Sequence, residues 1–146
     1  MNNKLENNSK TGYEHLTSKD GYYAVSKTNN IDRELNNSDA YNAHLYNIAN
    51  YYSEYIIAKN NARADKLLCQ LRRFAAIHNE TKITRSNVRL NGAWTIKYGE
   101  AGVCAKFVVS TYFGDVYFDS EITAQNAINA YYDELIWYFN EYEDRL

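Results

Sequence analysis

The sequence predicts an α+β fold in which an N-terminal helical segment precedes a three-stranded antiparallel meander, packed by a C-terminal amphipathic helix (ααβββα). Three observations predict this order. No glycine interrupts the chain between Ser38 and Asn79, and proline is absent throughout. Alternating apolar residues, typical of strands, begin at Trp94, and a capped helical pattern begins at Ser120. Because helices and strands are grouped rather than alternating, we expect an antiparallel sheet.

Composition divides the chain into three segments. Residues 1–37 are polar, and we expect them to be partly disordered, with irregular structure or a short helix around their tyrosines. Residues 38–80 form the helical segment, and residues 81–146 form a βββα module. The N-terminal part is therefore the least structured region that the sequence predicts.

The helical segment begins with Ser38 followed by Asp39, which provides an N-cap and an acidic group near the positive end of the helix dipole. Two apolar stripes follow at helical spacing, one ending at Ile56 and the next beginning at Leu67. At about 100° per residue, the second stripe is rotated by about a quarter turn from the first. We therefore predict two helices, or one bent helix, with the break near residues 59–63.

The strands are short and separated by glycine-containing turns. Residues 94–98 alternate between apolar and polar, residues 99–102 form a hairpin loop, and residues 103–111 are rich in β-branched side chains. Residues 114–115 fit a two-residue hairpin turn with glycine first, and residues 116–118 then form the third strand. These features together predict the meander.

The C-terminal helix has an apolar face that should pack on the sheet, from Ala124 through Ile128 and Leu135 to Phe139. Trp137 falls on the opposite side, among carboxylates. Two interpretations remain open: the indole packs on the helices of residues 38–79, or it anchors a partner at an interface, where tryptophan is enriched. The candidate partner-binding residues are Asp133, Glu134, Trp137, Glu141 and Asp144.

The net charge of −2 conceals a segregation of charge. Residues 116–146 carry seven acidic groups and one basic group, which favours a basic partner. A basic stripe lies on one face of the helical segment and could bind phosphates or carboxylates: Lys59, Arg63, Lys66 and Arg73. In a homodimer, the acidic helix of one copy could pair with the basic stripe of the other.

Catalytic, cofactor-binding and metal-binding motifs are missing from the sequence. The three histidines lie on separate segments, and Cys69 and Cys104 are not spaced as a metal pair. No phosphate-binding GK[ST] or nucleophile-elbow G-x-S-x-G pattern occurs. We therefore expect a protein that is not an enzyme and holds no cofactor or metal. Without a long uncharged apolar run or a disulfide framework, we expect no membrane span and a cytoplasmic location.

Two stretches carry a family resemblance. RADKLLCQLRRFAA (63–76) and the pattern W-T-I-K-Y … V-Y-F-D-S-E-x-x-A-x-x-A-I … Y-x-D-E-L-x-W-Y-F (94–139) resemble small accessory proteins encoded by phages and prophages of low-GC Gram-positive bacteria. Some such proteins inhibit host defence, including anti-CRISPR proteins that bind an RNA-guided effector nuclease. The resemblance implies a phage origin, no catalysis and a host protein partner in the cytoplasm of the infected bacterium. It assigns no functional residue.

The leading hypothesis is therefore a non-catalytic phage protein that binds and inhibits a host defence protein, with an anti-CRISPR as its specific form. The alternative is a phage regulatory protein that binds nucleic acid through the basic stripe. Against this alternative stand a pI near 5.9 and the absence of known nucleic-acid-binding motifs.

Overall fold

The computed structural model describes residues 11–16, 21–37 and 39–142. The chain divides into two compact units, unit 1 (Met1–Arg63) and unit 2 (Ala64–Leu146). The described residues form helices and two separate two-stranded sheets. The α+β class is therefore confirmed, but the three-stranded meander and the ααβββα order are wrong.

Unit 1 contains a β-hairpin that the sequence did not predict. Strands β1 (Gly21–Val25) and β2 (Ile31–Leu35) pair antiparallel, with Val25 opposite Ile31. The connecting turn is closed by the amide of Ser26, which donates to the carbonyl of Asn30 at 2.8 Å. Residues 21–35 are thus a hairpin rather than irregular structure or a short helix. Each strand has only five residues, too few for a clear alternating pattern.

Helix α1 (Ala40–Asn47) follows the hairpin. Asp39 caps it by accepting a hydrogen bond from the amide of Asn42 at 2.9 Å, one residue after the predicted cap at Ser38, which lies outside the described residues. The helix ends well before Ile56, because the chain becomes extended and Tyr52 pairs with Tyr23 of β1. The apolar stripe over these residues therefore belongs to a helix and a bridge, and not to one helix.

A tyrosine pair forms the centre of unit 1. Tyr22 is fully buried, and its ring stacks on Tyr51 with centroids 4.0 Å apart. Its hydroxyl donates to Oδ1 of Asn42 at 2.8 Å, so the buried polar group is satisfied. Burial raises the pKa of Tyr22 to about 12.

The segment at residues 11–16 is held by Glu14. Its carboxylate accepts hydrogen bonds from the amides of Thr11 and Gly12 and from Oγ of Ser53, the last at 2.5 Å. Because these bonds favour the ionised form, with the Ser53 hydroxyl contributing most, the pKa of Glu14 is lowered to about 2.

Helix α2 (Tyr55–His78) is continuous through residues 59–63, so a division into two helices at that position is wrong, whereas a bend there stays a prediction. The side-chain amide of Asn61 donates to the carbonyl of Ile57 at 2.9 Å, one turn earlier in the helix. Two helices do occur in the helical segment, but the break between α1 and α2 lies at residues 48–54.

Unit 2 continues with a short helix and a hairpin. Helix α3 (Arg85–Asn91), which the sequence did not predict, is capped by Thr84. Strands β3 (Ala93–Gly99) and β4 (Gly102–Val108) pair antiparallel in the predicted hairpin, with Gly99 opposite Gly102. The two glycines thus enclose the tight loop that the sequence indicated.

The predicted third strand is reduced to one bridge. The amide of Phe118 donates to the carbonyl of Trp94 at 2.8 Å, and the amide of Trp94 donates back at 2.8 Å. Because Phe118 uses these backbone groups of Trp94, it lies at the edge of β3 opposite to β4. In a meander it would lie beside β4.

The C-terminal helix is divided. Ser120 caps α4 (Glu121–Ala130) as predicted, but Tyr131 leaves the helical conformation, with φ −124° and ψ 27°. Helix α5 (Tyr132–Trp137) and a π-helical turn (Tyr138–Tyr142) follow. The break at Tyr131 interrupts the regular rotation of about 100° per residue. The side of the helix on which Trp137 lies can therefore not be extrapolated from Ser120.

The core of unit 2 lies between α2, β3, α4 and α5. Phe118 is fully buried at its centre, and Trp94, Val103 and Ala105 pack around it from the sheet. The predicted apolar face of the last helix is confirmed for Ala124, Ala127, Ile128 and Leu135, all of which are buried in this core.

Candidate functional site

The segment that follows β4 forms an exposed aromatic turn, which we call the Phe113 loop (residues 109–115). The amide of Asp115 donates to the carbonyl of Tyr112 at 3.4 Å, and Gly114 has φ +83°. This is the pattern of a type II turn, which needs glycine at its third position. Phe113 lies at the second position, where its ring is fully exposed. The turn is thus centred on Phe113–Gly114, and the predicted two-residue turn at Gly114–Asp115 is wrong.

Hydrogen bonds from both sides hold this loop in place. The hydroxyl of Tyr117 accepts from the amide of Tyr112 at 2.5 Å and lies 3.3 Å from its carbonyl. Oγ1 of Thr95, which is buried, donates to the carbonyl of Val116 at 2.9 Å. The exposed ring of Phe113 is therefore presented from an anchored turn.

A cavity of about 570 Å³ lies beside the Phe113 loop, within unit 2. Its volume is in the range typical of ligand pockets. Helix α2, strand β3, the Phe113 loop and α5 with the π-helical turn all contribute to its wall. Aliphatic side chains line its interior, among them Leu67, Leu68, Leu71 and Leu135. Aromatic side chains also line it: Tyr112, Phe113, Tyr138, Phe139 and Tyr142.

One ion pair contributes to the cavity wall. The ammonium of Lys97 lies 2.8 Å from each carboxylate oxygen of Asp115, and the Asp115 side chain is largely buried. The same ammonium lies 5.6 Å from the centroid of the Tyr112 ring, within the range of a cation–π contact. The pair ties β3 to the Phe113 loop, and its two charges compensate each other.

A third charged group, Asp65 of α2, lines the same cavity and is exposed. Among the residues that the structure describes, no hydrogen bond or ion pair engages its carboxylate. The described wall therefore has two carboxylates and one ammonium, in addition to its aromatic rings.

The predicted partner-binding residues do not form one exposed cluster. Asp133 and Glu141 are exposed, Glu134 is half-buried, and Asp144 lies outside the described residues. Trp137 is only 7% exposed, and its ring lies 5.6 Å from that of Tyr142. The indole is therefore buried and offers little surface to a partner, while its packing on the helices of residues 38–79 stays a prediction.

The predicted basic stripe lies along α2. Lys59, Lys66 and Arg73 are exposed, and Arg63 is half-buried. Lys59 and Arg63 belong to unit 1, whereas Lys66 and Arg73 belong to unit 2. Within unit 2 the two basic residues are seven positions apart, so they project from the same side of the helix at a separation of about 10 Å.

The described residues include no group of three or more His, Cys, Asp or Glu side chains that could hold a metal ion. Cys69 and Cys104 are free thiols. A search of the described helices for one of sufficient length and hydrophobicity to span a bilayer finds none.

Comparison of the chain with protein-family models, curated proteins and solved structures finds no match. The geometry of unit 2 therefore provides the evidence for a functional site.

Sequence reasoning missed the Phe113 loop, and the signal for it is weak. An aromatic residue before Gly-Asp is compatible with a turn, but a phenylalanine normally indicates core. The exposure of the ring shows that it lies outside the core, and the loop is held by a local hydrogen bond from Tyr112 to Tyr117 and by the bond of Thr95 to Val116 across the fold.

Proposed function

We propose that this chain is a non-catalytic interaction protein, and that unit 2 binds a partner protein through the Phe113 loop and the adjacent cavity. The fully exposed ring of Phe113, fixed at the tip of a hydrogen-bonded turn, is the observation that carries the proposal. Transfer of a large aromatic side chain from water into an apolar interface is favourable, so binding that buries the ring is stabilised. Aromatic side chains of this kind are frequent anchors of protein interfaces.

The charges of the wall favour binding over catalysis. Lys97 and Asp115 are already paired at 2.8 Å, so neither is poised as a separate acid or base. The rigid turn and the apolar cavity are, in contrast, features of a preformed binding surface.

The exposed carboxylates of α5 and the following turn, Asp133 and Glu141, favour a partner with a basic surface. The finer form of the proposal is that the partner is a host defence protein, and specifically an RNA-guided effector nuclease inhibited by a phage-encoded protein. Its support is the resemblance of residues 63–76 and 94–139 to phage accessory proteins, together with the acidic C-terminal segment.

The test uses purified guide-loaded effector nucleases and measures cleavage of a matched DNA target with increasing amounts of the chain. We expect inhibition by the wild-type protein, loss of inhibition by Phe113→Ser, and retention by Ile122→Ser. Ile122 is a suitable control because it is also an exposed apolar residue of unit 2, 73% exposed. If the wild-type protein leaves every nuclease fully active, the finer form is wrong, whereas the general proposal is tested by site-specific cross-linking.

The alternative function is nucleic-acid binding through α2, and the exposed positions of Lys66 and Arg73 favour it. Gel shifts with DNA and RNA at about 50 and about 200 mM salt distinguish this alternative from our proposal. Binding through phosphate contacts weakens steeply as the salt concentration rises. Salt-sensitive binding that is lost in a Lys66→Gln, Arg73→Gln double variant would favour the alternative over our proposal.

A further inference from the structure

We infer that the cavity of unit 2 receives a basic side chain of the partner, with arginine preferred to lysine. This inference rests on the proposed function, because it specifies the chemistry of the partner at the same site. Three features of the cavity wall support it: its aromatic rings, its balance of charge and its ion pair.

The rings of the wall suit a cation. Five aromatic residues line one cavity of about 570 Å³: Tyr112, Phe113, Tyr138, Phe139 and Tyr142. The Lys97 ammonium already lies 5.6 Å from the centroid of Tyr112, so at least one of these rings accepts a cation within the protein itself. Arginine is favoured because its planar guanidinium stacks on aromatic rings, while its aliphatic stem can pack on apolar side chains.

The described charged groups of the cavity wall have a net negative charge, opposite to that of a basic side chain. Lys97 and Asp115 lie 2.8 Å apart and compensate each other, which leaves the carboxylate of Asp65 without a partner among the described residues. Asp65 lines the cavity and is exposed, so an entering guanidinium can reach it without displacing an existing partner. A carboxylate and a guanidinium can form two parallel hydrogen bonds, which adds geometric selectivity.

An anionic group is a poorer occupant. The ammonium that lines the described wall is engaged by both oxygens of Asp115, so an anion would compete with an ion pair and approach a second carboxylate. A neutral apolar side chain could fill the volume, but it would leave Asp65 unpaired at the edge of the site. These two occupants are the outcomes against which the inference is tested.

The experiment titrates the full-length protein with N-acetyl-arginine amide and follows backbone amide signals by NMR. N-acetyl-citrulline amide is the neutral probe of nearly the same shape, and N-acetyl-norleucine amide is the apolar probe. For a ligand of this size we expect a Kd on the order of 1 mM for the arginine probe. Signals of residues that line the cavity, such as Leu68 and Phe113, should shift, and the citrulline probe should bind at least about tenfold more weakly.

Two variants locate the contact. Asp65→Asn should weaken binding of the arginine probe by about three- to tenfold, since it removes a charge-assisted hydrogen bond. Tyr112→Leu should weaken it by about two- to fivefold, through loss of a cation–π contact. Glu100→Gln is the matched control, because Glu100 is an exposed carboxylate in the β3–β4 turn and does not line the cavity. Dispersed amide signals confirm that each variant is folded.

The inference is overturned if the citrulline or norleucine probe binds as tightly as the arginine probe, if Asp65→Asn has no effect, or if the shifts occur away from the cavity. These outcomes are independent of the proposed function, because the probes require no partner protein. If a partner contacts the Phe113 loop but the cavity does not bind the arginine probe, the proposed function stands and only this inference is removed.

Discussion

Replacing Phe113 by serine should greatly weaken partner binding without affecting the stability of the fold. The ring is fully exposed, so its removal takes no apolar area out of the core. The turn itself depends on Gly114, with φ +83°, and on backbone hydrogen bonds that serine preserves. We therefore expect the free energy of unfolding to change by less than about 0.5 kcal/mol.

The effect on binding can be estimated from the area of the ring. A phenylalanine that becomes buried at an interface removes roughly 150–200 Å² from water, which corresponds to about 4–5 kcal/mol as an upper bound. Anchors of this kind typically contribute about 2–4 kcal/mol, so the Kd for the partner should rise by roughly 30- to 1,000-fold.

Urea unfolding and calorimetric titration of the identified partner measure the two quantities on the same samples. Ile122→Ser should change neither of them, because Ile122 is exposed at the start of α4 and not on the Phe113 loop. If Phe113→Ser unfolds the protein, the ring is part of the core. Unchanged stability together with unchanged affinity would refute its role as an anchor.

Three further predictions concern the two units separately. Trp137→Ala should lower the free energy of unfolding by about 3–5 kcal/mol because the indole is 7% exposed, and a change below about 1 kcal/mol in urea unfolding would contradict its packed position. Asp119→Ala should cost about 1–3 kcal/mol, because its carboxylate accepts from the amides of Glu80 and Thr81 at 2.6 and 3.1 Å; Asp133→Ala, which removes an exposed carboxylate, is the control and should cost little. Glu14, whose pKa is lowered to about 2 from 4.5, should stabilise unit 1 fully above pH 4.5 and progressively less as the pH falls toward 2. Glu14→Gln should remove this part of the acid dependence, measured as the difference between unfolding curves at about pH 6, above that window, and at about pH 3, within it; an unchanged difference would contradict the assignment.

The features that could be predicted from the sequence depend on local chemistry. The β3–β4 hairpin follows from alternating residues and from glycines at both ends of its loop, Gly99 and Gly102. The cap at Ser120 follows from a side chain that accepts a hydrogen bond from the amide three residues later, and the same chemistry starts α1 at Asp39, one residue after the predicted cap. Each of these signals is complete within a few residues of the chain.

The third strand could not be predicted correctly, because the side chains that hydrogen-bond to its backbone are distant in the sequence. The carbonyl of Val116 accepts from the side chain of Thr95 at 2.9 Å, and the carbonyl of Tyr117 accepts from the side-chain amide of Asn79 at 3.1 Å. Residues 116–118 have the composition of a strand, but these side chains occupy carbonyls that a strand would use for its neighbour. Only the bridge at Phe118 remains.

The burial of Trp137 could not be predicted from helical spacing. Its placement opposite the apolar face assumes one regular helix from Ser120, and the break at Tyr131 ends that regularity before Trp137. Trp137 is consequently buried, while Phe113, which its residue type assigns to the core, is exposed. The exposed acidic residues Asp133 and Glu141 were identified correctly as surface charges.

Site-specific photo-cross-linking tests the central claim most directly. Phe113 is replaced by p-benzoyl-phenylalanine, the variant is expressed in cells of the proposed bacterial host and irradiated, and the cross-linked peptides are identified. The same amino acid at Ile122, which is 73% exposed, is the control. Our account predicts one partner protein cross-linked at position 113, through a segment that contains arginine or lysine, and no such product at position 122. Equal cross-linking at both positions, or none at position 113, would contradict it.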